Sequence, residues 1–161
     1  MAETISGRIV QINISRGGVP KLPVMEARVG ELGLAGDLHD DIASHGGPTR
    51  ALCLYTIEEI ERLQAEGHPI FPGAAGENVT LRGVALARLV PGTRLALGDE
   101  VVVEITGYTT PCKTIRAAFN DGDFSRISHK THPGESRVYA RVLREGVMRT
   151  GDSIHTLAPA E

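Results

Sequence analysis

Glycine and proline interrupt this chain so often that short strands and turns are its natural currency. Nineteen Gly and nine Pro in 161 residues make about 17% of the chain, against a usual share of about 12%. Between these breakers lie short apolar runs, several of them β-branched and alternating. Residues 5–14 read as a strand, with Val10, Ile12 and Ile14 on one face and Gln11 and Asn13 on the other. Gly17 and Gly18 turn the chain, and Pro20 and Pro23 keep 20–23 extended. Residues 24–29 form a second short strand. A loop over 30–49 follows, rich in glycine and acidic residues around His39 and His45. A polar loop of this length inside a compact domain is more often functional than incidental. Residues 50–55 are a short apolar strand.

One helix stands out. Thr56 and Glu59 make a capping box; Ile57, Ile60 and Leu63 form an apolar stripe, Gly67 stops the helix and Pro69 follows. Further strands are expected at 78–81, 94–97, 101–105, 138–143 and 153–157, with a short helix at 113–119. Many short strands and few helices point to a mainly β fold, a closed or partly closed β-barrel. Strands and helices do not alternate as a doubly wound sheet requires. The expected organisation is a single domain over 1–161, with its core over about 7–155 and a frayed tail after Leu157.

Composition narrows the function classes. A net charge of −3 argues against a general nucleic-acid or membrane-surface binder, and aromatics at 4% with no Trp disfavour base stacking. There is no apolar run long enough to span a membrane and no secretory pattern at the start of the sequence. Cys53 and Cys112 are too few for a disulfide framework, so a reducing compartment, the cytoplasm, is the expectation.

Four groups of residues could carry chemistry. Cys112 follows Pro111 and precedes the short helix bearing Lys113 and Arg116. Helix dipole and cations both favour a thiolate there, which could act as nucleophile, sulfur carrier or soft metal ligand; the bland alternative is a small buried hydrophobe. For Cys53, set between leucines in a strand, the bland reading leads. Asp37, His39 and His45 could bind zinc or iron, although their spacing matches no strong metal signature. Glu77 and Asn78 after Gly76 offer an acceptor and an amide fork. Lys21, Arg50, Arg137 and Arg141 are scattered cations suited to phosphate or carboxylate. Arg141 shares a strand face with Tyr139; it lines a polar pocket or faces solvent, and solvent is the commoner place for arginine.

The order of these pieces resembles the MOSC family, named for the C-terminal domain of molybdenum cofactor sulfurase. Lys21, the run from Gly33 to His39, His45-Gly46-Gly47 and Arg50-Ala51 come first. Pro72-Gly73, Gly76-Glu77-Asn78, the run from Pro91 to Leu95 and Pro111-Cys112 come next, then the run from Tyr139 to Leu143 and Gly151-Asp152. The chain looks like a stand-alone bacterial-type member. The resemblance implies a β-barrel fold and a molybdenum cofactor (molybdopterin) with Cys112 as the molybdenum ligand. It also implies reduction of N-hydroxylated compounds as a possible activity, or a carrier role in which Cys112 holds a persulfide or hands on the cofactor. Pyridoxal phosphate enters only through the sulfurase's other domain. Within this reading Lys21, Arg50 and Arg141 are expected at the cofactor phosphate and pterin. Asn78 and His45 would hold the pterin edge or a metal oxo group, with His45 also a proton donor. Asp37 and His39 would orient the loop. No second cysteine follows Cys112 and no ferredoxin-type set is present, so a reductase of this kind would take electrons from a partner protein.

Overall fold

A computed structural model describes residues 6–15, 18–37 and 47–158. His39 and His45 therefore lie outside the described residues. The strands are β1 (Ser6–Ile14), β2 (Leu22–Val24), β3 (Glu26–Gly30), β4 (Gly33–Leu34), β5 (Leu52–Thr56), β6 (Val79–Arg82), β7 (Arg94–Leu97), β8 (Val101–Tyr108), β9 (Val138–Arg144), β10 (Gly146–Arg149) and β11 (Ser153–Thr156), with one α-helix, α1 (Ile57–Ala65). The larger sheet runs β11-β7-β8-β9-β5-β6-β1-β2, and pairing of β11 with β1 closes seven of these strands into a barrel. Closure joins the ends of the sequence, with Ser6 opposite His155 and Arg8 opposite Ser153. A smaller sheet has the order β10-β3-β4. The mainly β barrel expected from the short strands is the observed architecture.

Alternation fills the barrel. Leu52 and Leu54 on β5, Val79 and Leu81 on β6, Val103 and Ile105 on β8, and Val138 and Ala140 on β9 are all essentially excluded from solvent. Burying such side chains stabilises by roughly 1.5–3 kcal/mol each for the larger ones. In β1 the expected alternation breaks. A bulge between Ile9 and Gln11 shifts the register against β6, so Ile9 and Ile12 are the fully buried pair and Val10 is only half-buried.

Other differences follow from long-range pairing. The strand expected at 24–29 is two: β2 pairs with β1, while β3 pairs with β10 in the other sheet. Part of the expected loop is β4, which pairs with β3 through Val29–Leu34. Arg50 belongs to a 3-10 turn, Pro48–Arg50, rather than to the following strand. The short helix after Cys112 is a six-residue 3-10 helix, Lys113–Ala118. Strand β10 escaped the sequence reading altogether.

Helix α1 connects the parallel pair β5 and β6 and buries Ile57, Ile60 and Leu63. Thr56 Oγ1 accepts from Glu59 N at 3.3 Å, half of the expected capping box. Thr56→Ala is expected to lower stability by about 1 kcal/mol, read as a shift in the urea midpoint.

Candidate functional site

The candidate site lies on the outer wall of the barrel, where β5, β9 and β8 run side by side. Val138 and Ala140 point inward, so the alternating Tyr139 and Arg141 point outward. Tyr139 is opposite Cys53 on β5 and Gly107 on β8. Asn78, at the entry to β6, ties itself to Cys53 twice: Asn78 N donates to Cys53 O at 2.7 Å, and Cys53 N donates to Asn78 Oδ1 at 2.9 Å. Asn13 N on β1 donates to Asn78 O at 2.7 Å. A row of largely polar residues thus crosses the wall from Asn13 to Gly107.

This outer wall is covered. Asn13, Asn78 and Thr109 are no more than 2% exposed, as deep as the barrel core. Buried polar groups require partners, and here they have them. Asn13 Nδ2 donates to Glu77 O at 3.1 Å and to Thr80 Oγ1 at 3.2 Å, and Thr80 Oγ1 donates to Glu77 Oε2 at 3.1 Å. Asp37 is a hub: Oδ2 accepts from Lys21 Nζ at 2.6 Å and Asn78 Nδ2 at 2.8 Å, and Oδ1 accepts from Ser15 N at 2.8 Å. Lys21 is held a second time, its backbone N donating to Gly73 O at 2.9 Å.

Lys21, Asp37 and Asn78, far apart in sequence, are therefore one connected cluster. Their roles differ. Asp37 and the Asn78 amide are spent on internal bonds and act by positioning. The Lys21 ammonium has three donors, and Asp37 takes one of them. Asp37 belonged to the zinc or iron set suggested with His39 and His45; its carboxylate is committed to Lys21, Asn78 and Ser15. Among the described residues no three His, Cys, Asp or Glu side chains gather as a metal-ligand set.

Arg50 reaches the wall from its 3-10 turn, its guanidinium 5.6 Å from the Tyr139 ring centroid. The neighbouring Thr49 O accepts from Thr106 Oγ1 at 2.5 Å, which fastens that turn to β8. Gly107 leaves a gap beside Tyr139, where a Cβ would meet nothing within 4 Å among the described residues. Arg141 stands apart from the cluster. It is exposed, and its Nη2 is 2.6 Å from Glu104 Oε1, a carboxylate it shares with Arg94. The solvent-face alternative describes its position.

The two thiols separate by environment. Cys53 is buried, its Sγ 3.6 Å from Thr109 Oγ1, and burial pushes the thiol's pKa up. A thiol held protonated is a poor nucleophile and a poor metal ligand. Cys112 is half-buried, with Sγ 2.9 Å from Thr114 Oγ1. It precedes the 3-10 helix, and Thr109 N donates to Arg137 O at 2.9 Å to pin the chain three residues upstream. Three residues of chain span at most about 11 Å, so Cys112 stays near the polar wall.

Tyr139, Thr109 and Gly107 were not singled out as site residues from sequence, and Arg137 was named only among the scattered cations. The one available signal was alternation: Arg137, Tyr139 and Arg141 fall on one face of the same strand.

Residues 41–155 match the MOSC domain. The chain is 30% identical over 127 residues to the uncharacterised protein YflK of Bacillus subtilis, covering 78% of this chain and 56% of that one. It is 30% identical over 110 residues to YiiM of Escherichia coli, covering 66% and 49%. A Gibberella moniliformis protein named a reductase is 29% identical over 130 residues, 78% of this chain and 22% of that one. The chain thus spans about half the length of the first two relatives, or less for the third. The crystal structure of YuaD from Bacillus subtilis superposes with a TM-score of 0.76 at 20% identity, covering 97% of this chain and 98% of that one, a likeness of fold.

Proposed function

Since this chain belongs to the MOSC domain family, we propose that its polar outer wall binds a molybdenum cofactor, with the Cys112 thiolate as a ligand of the metal. The observation that carries this reading is the pairing of one half-buried thiol, Cys112, with a wall that holds Lys21 by both its backbone and its ammonium. The donor set suits the group. A thiolate is a soft ligand for molybdenum, Lys21 and Arg50 are cations for the phosphate, and the gap at Gly107 beside Tyr139 leaves room for a flat ring. When bound, the cofactor supplies two-electron redox chemistry and oxygen-atom transfer. The protein's own part is to present Cys112, hold the anionic end, and keep Lys21 in place through Asp37. Asn78 secures the wall rather than meeting the pterin. His45, outside the described residues, remains the proposed proton donor.

The proposed activity is reduction of an N–O bond in a small N-hydroxylated compound, with electrons from a partner protein. The relative named a reductase supports redox chemistry only in that general sense. No helix among the described residues is long and apolar enough to cross a membrane.

Molybdenum and pterin content, measured on protein from a cofactor-replete host, tests the reading. Near-stoichiometric content in the wild type is expected to fall by at least about tenfold in Cys112→Ala, because the covalent anchor is lost. Absence of both in the wild type would sink the proposal. Sulfane sulfur on Cys112 without molybdenum would instead identify a sulfur carrier.

A further inference from the structure

Arg137 is the one buried arginine among the described residues, 5% exposed. Arg62, Arg94, Arg126, Arg141 and Arg149 each grip a carboxylate. Arg137 grips none among the described residues. Its Nη1 donates to Ala75 O at 2.6 Å, and its Nε is enclosed without a partner. A guanidinium carries five N–H donors and does not give up its proton in a protein. A buried fixed charge with so few bonds is unstable unless an anion completes it.

The surroundings say where that anion would sit. Arg137 immediately precedes β9, its O accepts from Thr109 N, and the β5–β9 register continues from Leu54–Val138 toward Tyr55. Val138 points inward, so Arg137 falls on the outward face with Tyr139, and its bond to Ala75 O holds the guanidinium two residues before Glu77 in the chain. Glu77 is a fully buried carboxyl, yet the two form no ion pair, and Glu77 Oε1 is likewise enclosed without a partner. Glu77 therefore compensates the charge on Arg137 only through space, with no bond between the two side chains. With Nη1 engaged and Nε enclosed, Nη2 is the donor through which a phosphate oxygen can approach the guanidinium.

We infer that Arg137, rather than Arg141, is the oxyanion-holding residue of this wall, its Nη2 receiving a phosphate monoester or inorganic phosphate. The inference deepens the reading above and rests on it only for the source of the phosphate, which is the cofactor's own or that of a separate phosphorylated ligand. An ordered water bridging Glu77 and Arg137 is the competing account.

The test titrates inorganic phosphate, at constant ionic strength, into full-length protein made in a host unable to synthesise the cofactor. Wild type is expected to bind saturably, and Arg137→Gln to weaken binding by at least about tenfold. Arg149→Gln, at an exposed ion pair, is expected to bind as wild type does. Glu77→Gln keeps the acceptor for Thr80 but removes a competing negative charge, and is expected to tighten binding about threefold or more. This variant decides the matter if Arg137→Gln does not fold. Failure of the wild type to bind, unchanged affinity in Arg137→Gln, or unchanged or weaker affinity in Glu77→Gln would each overturn the inference in favour of the water bridge. In a cofactor-replete host, loss of pterin from Arg137→Gln identifies the cofactor's phosphate. Retained pterin with lost phosphate affinity identifies a separate ligand. Phosphate binding by a wild type that takes up no molybdenum would defeat the preceding proposal and leave this one standing.

Discussion

Asp37→Ala is expected to lower the unfolding free energy by about 3–5 kcal/mol, the usual penalty for removing one partner of a buried ion pair. The Asp37 and Lys21 side chains are only 1% and 8% exposed. Without the carboxylate the Lys21 ammonium is left buried and unpaired, while Ser15 N and Asn78 Nδ2 each lose an acceptor. The penalty comes mostly from that stranded charge rather than from the attraction lost. Replacing both partners, as in Lys21→Met with Asp37→Leu, is therefore expected to cost less than the sum of the single changes. Urea unfolding of the wild type, Lys21→Met, Asp37→Leu and the double variant measures this cycle. A loss below about 1 kcal/mol for Asp37→Ala would mean that the pair is solvated like a surface ion pair.

Gly73→Ala is the second large effect, expected at about 3 kcal/mol or more from strain and overlap together. Gly73 has φ +91°, and an added Cβ would run into Lys21 O, a backbone atom that cannot swing aside. Gly73 O also accepts from Lys21 N at 2.9 Å. The same substitution therefore strikes stability and the placement of Lys21 together. Gly47→Ala is the matched comparison: φ is +87°, but nothing lies within 4 Å of the new Cβ. Only conformational strain remains there, about 1 kcal/mol. Equal losses in the two variants, read from urea midpoints, would show that Lys21 O yields. A folded Gly73→Ala protein that keeps full cofactor content would remove Lys21 from the proposed phosphate contacts.

Both effects depend on contacts between residues distant in sequence, and that is where the sequence reading thinned out. Helix α1 was legible because Thr56, Glu59, the Ile57-Ile60-Leu63 stripe and Gly67 act within a few residues of one another. The strands expected at 94–97 and 101–105, observed as β7 and β8, were legible for the same reason. Strand β10 was missed because four residues beside a turn carry too little periodicity to stand out; it exists through its pairing with β3, more than a hundred residues away. The split of 24–29 between two sheets has the same origin. Arg141 drew attention as a cation in the right motif, yet a cation goes to its best-placed carboxylate, and Glu104 stands directly opposite on β8.

The sequence by itself determined that this chain is built of short strands and tight turns, that it carries one capped amphipathic helix, and that its ordered motifs are those of the MOSC family. Composition, local periodicity and turn chemistry suffice for the strands, turns and helix, since each acts over a handful of neighbouring residues, while the family rests on the resemblance of the ordered motifs. Only the tertiary structure decided that the barrel closes through β1 and β11, and that part of its outer wall, at Asn13, Asn78 and Thr109, is buried as deeply as its core. It also separated an enclosed thiol at Cys53 from a half-buried one at Cys112, joined Lys21, Asp37 and Asn78 into one network, and left Arg137 charged and underbonded inside that wall. These outcomes depend on which distant groups meet and on how much water is excluded when they do. Register, desolvation and charge pairing exist only once the chain has closed on itself.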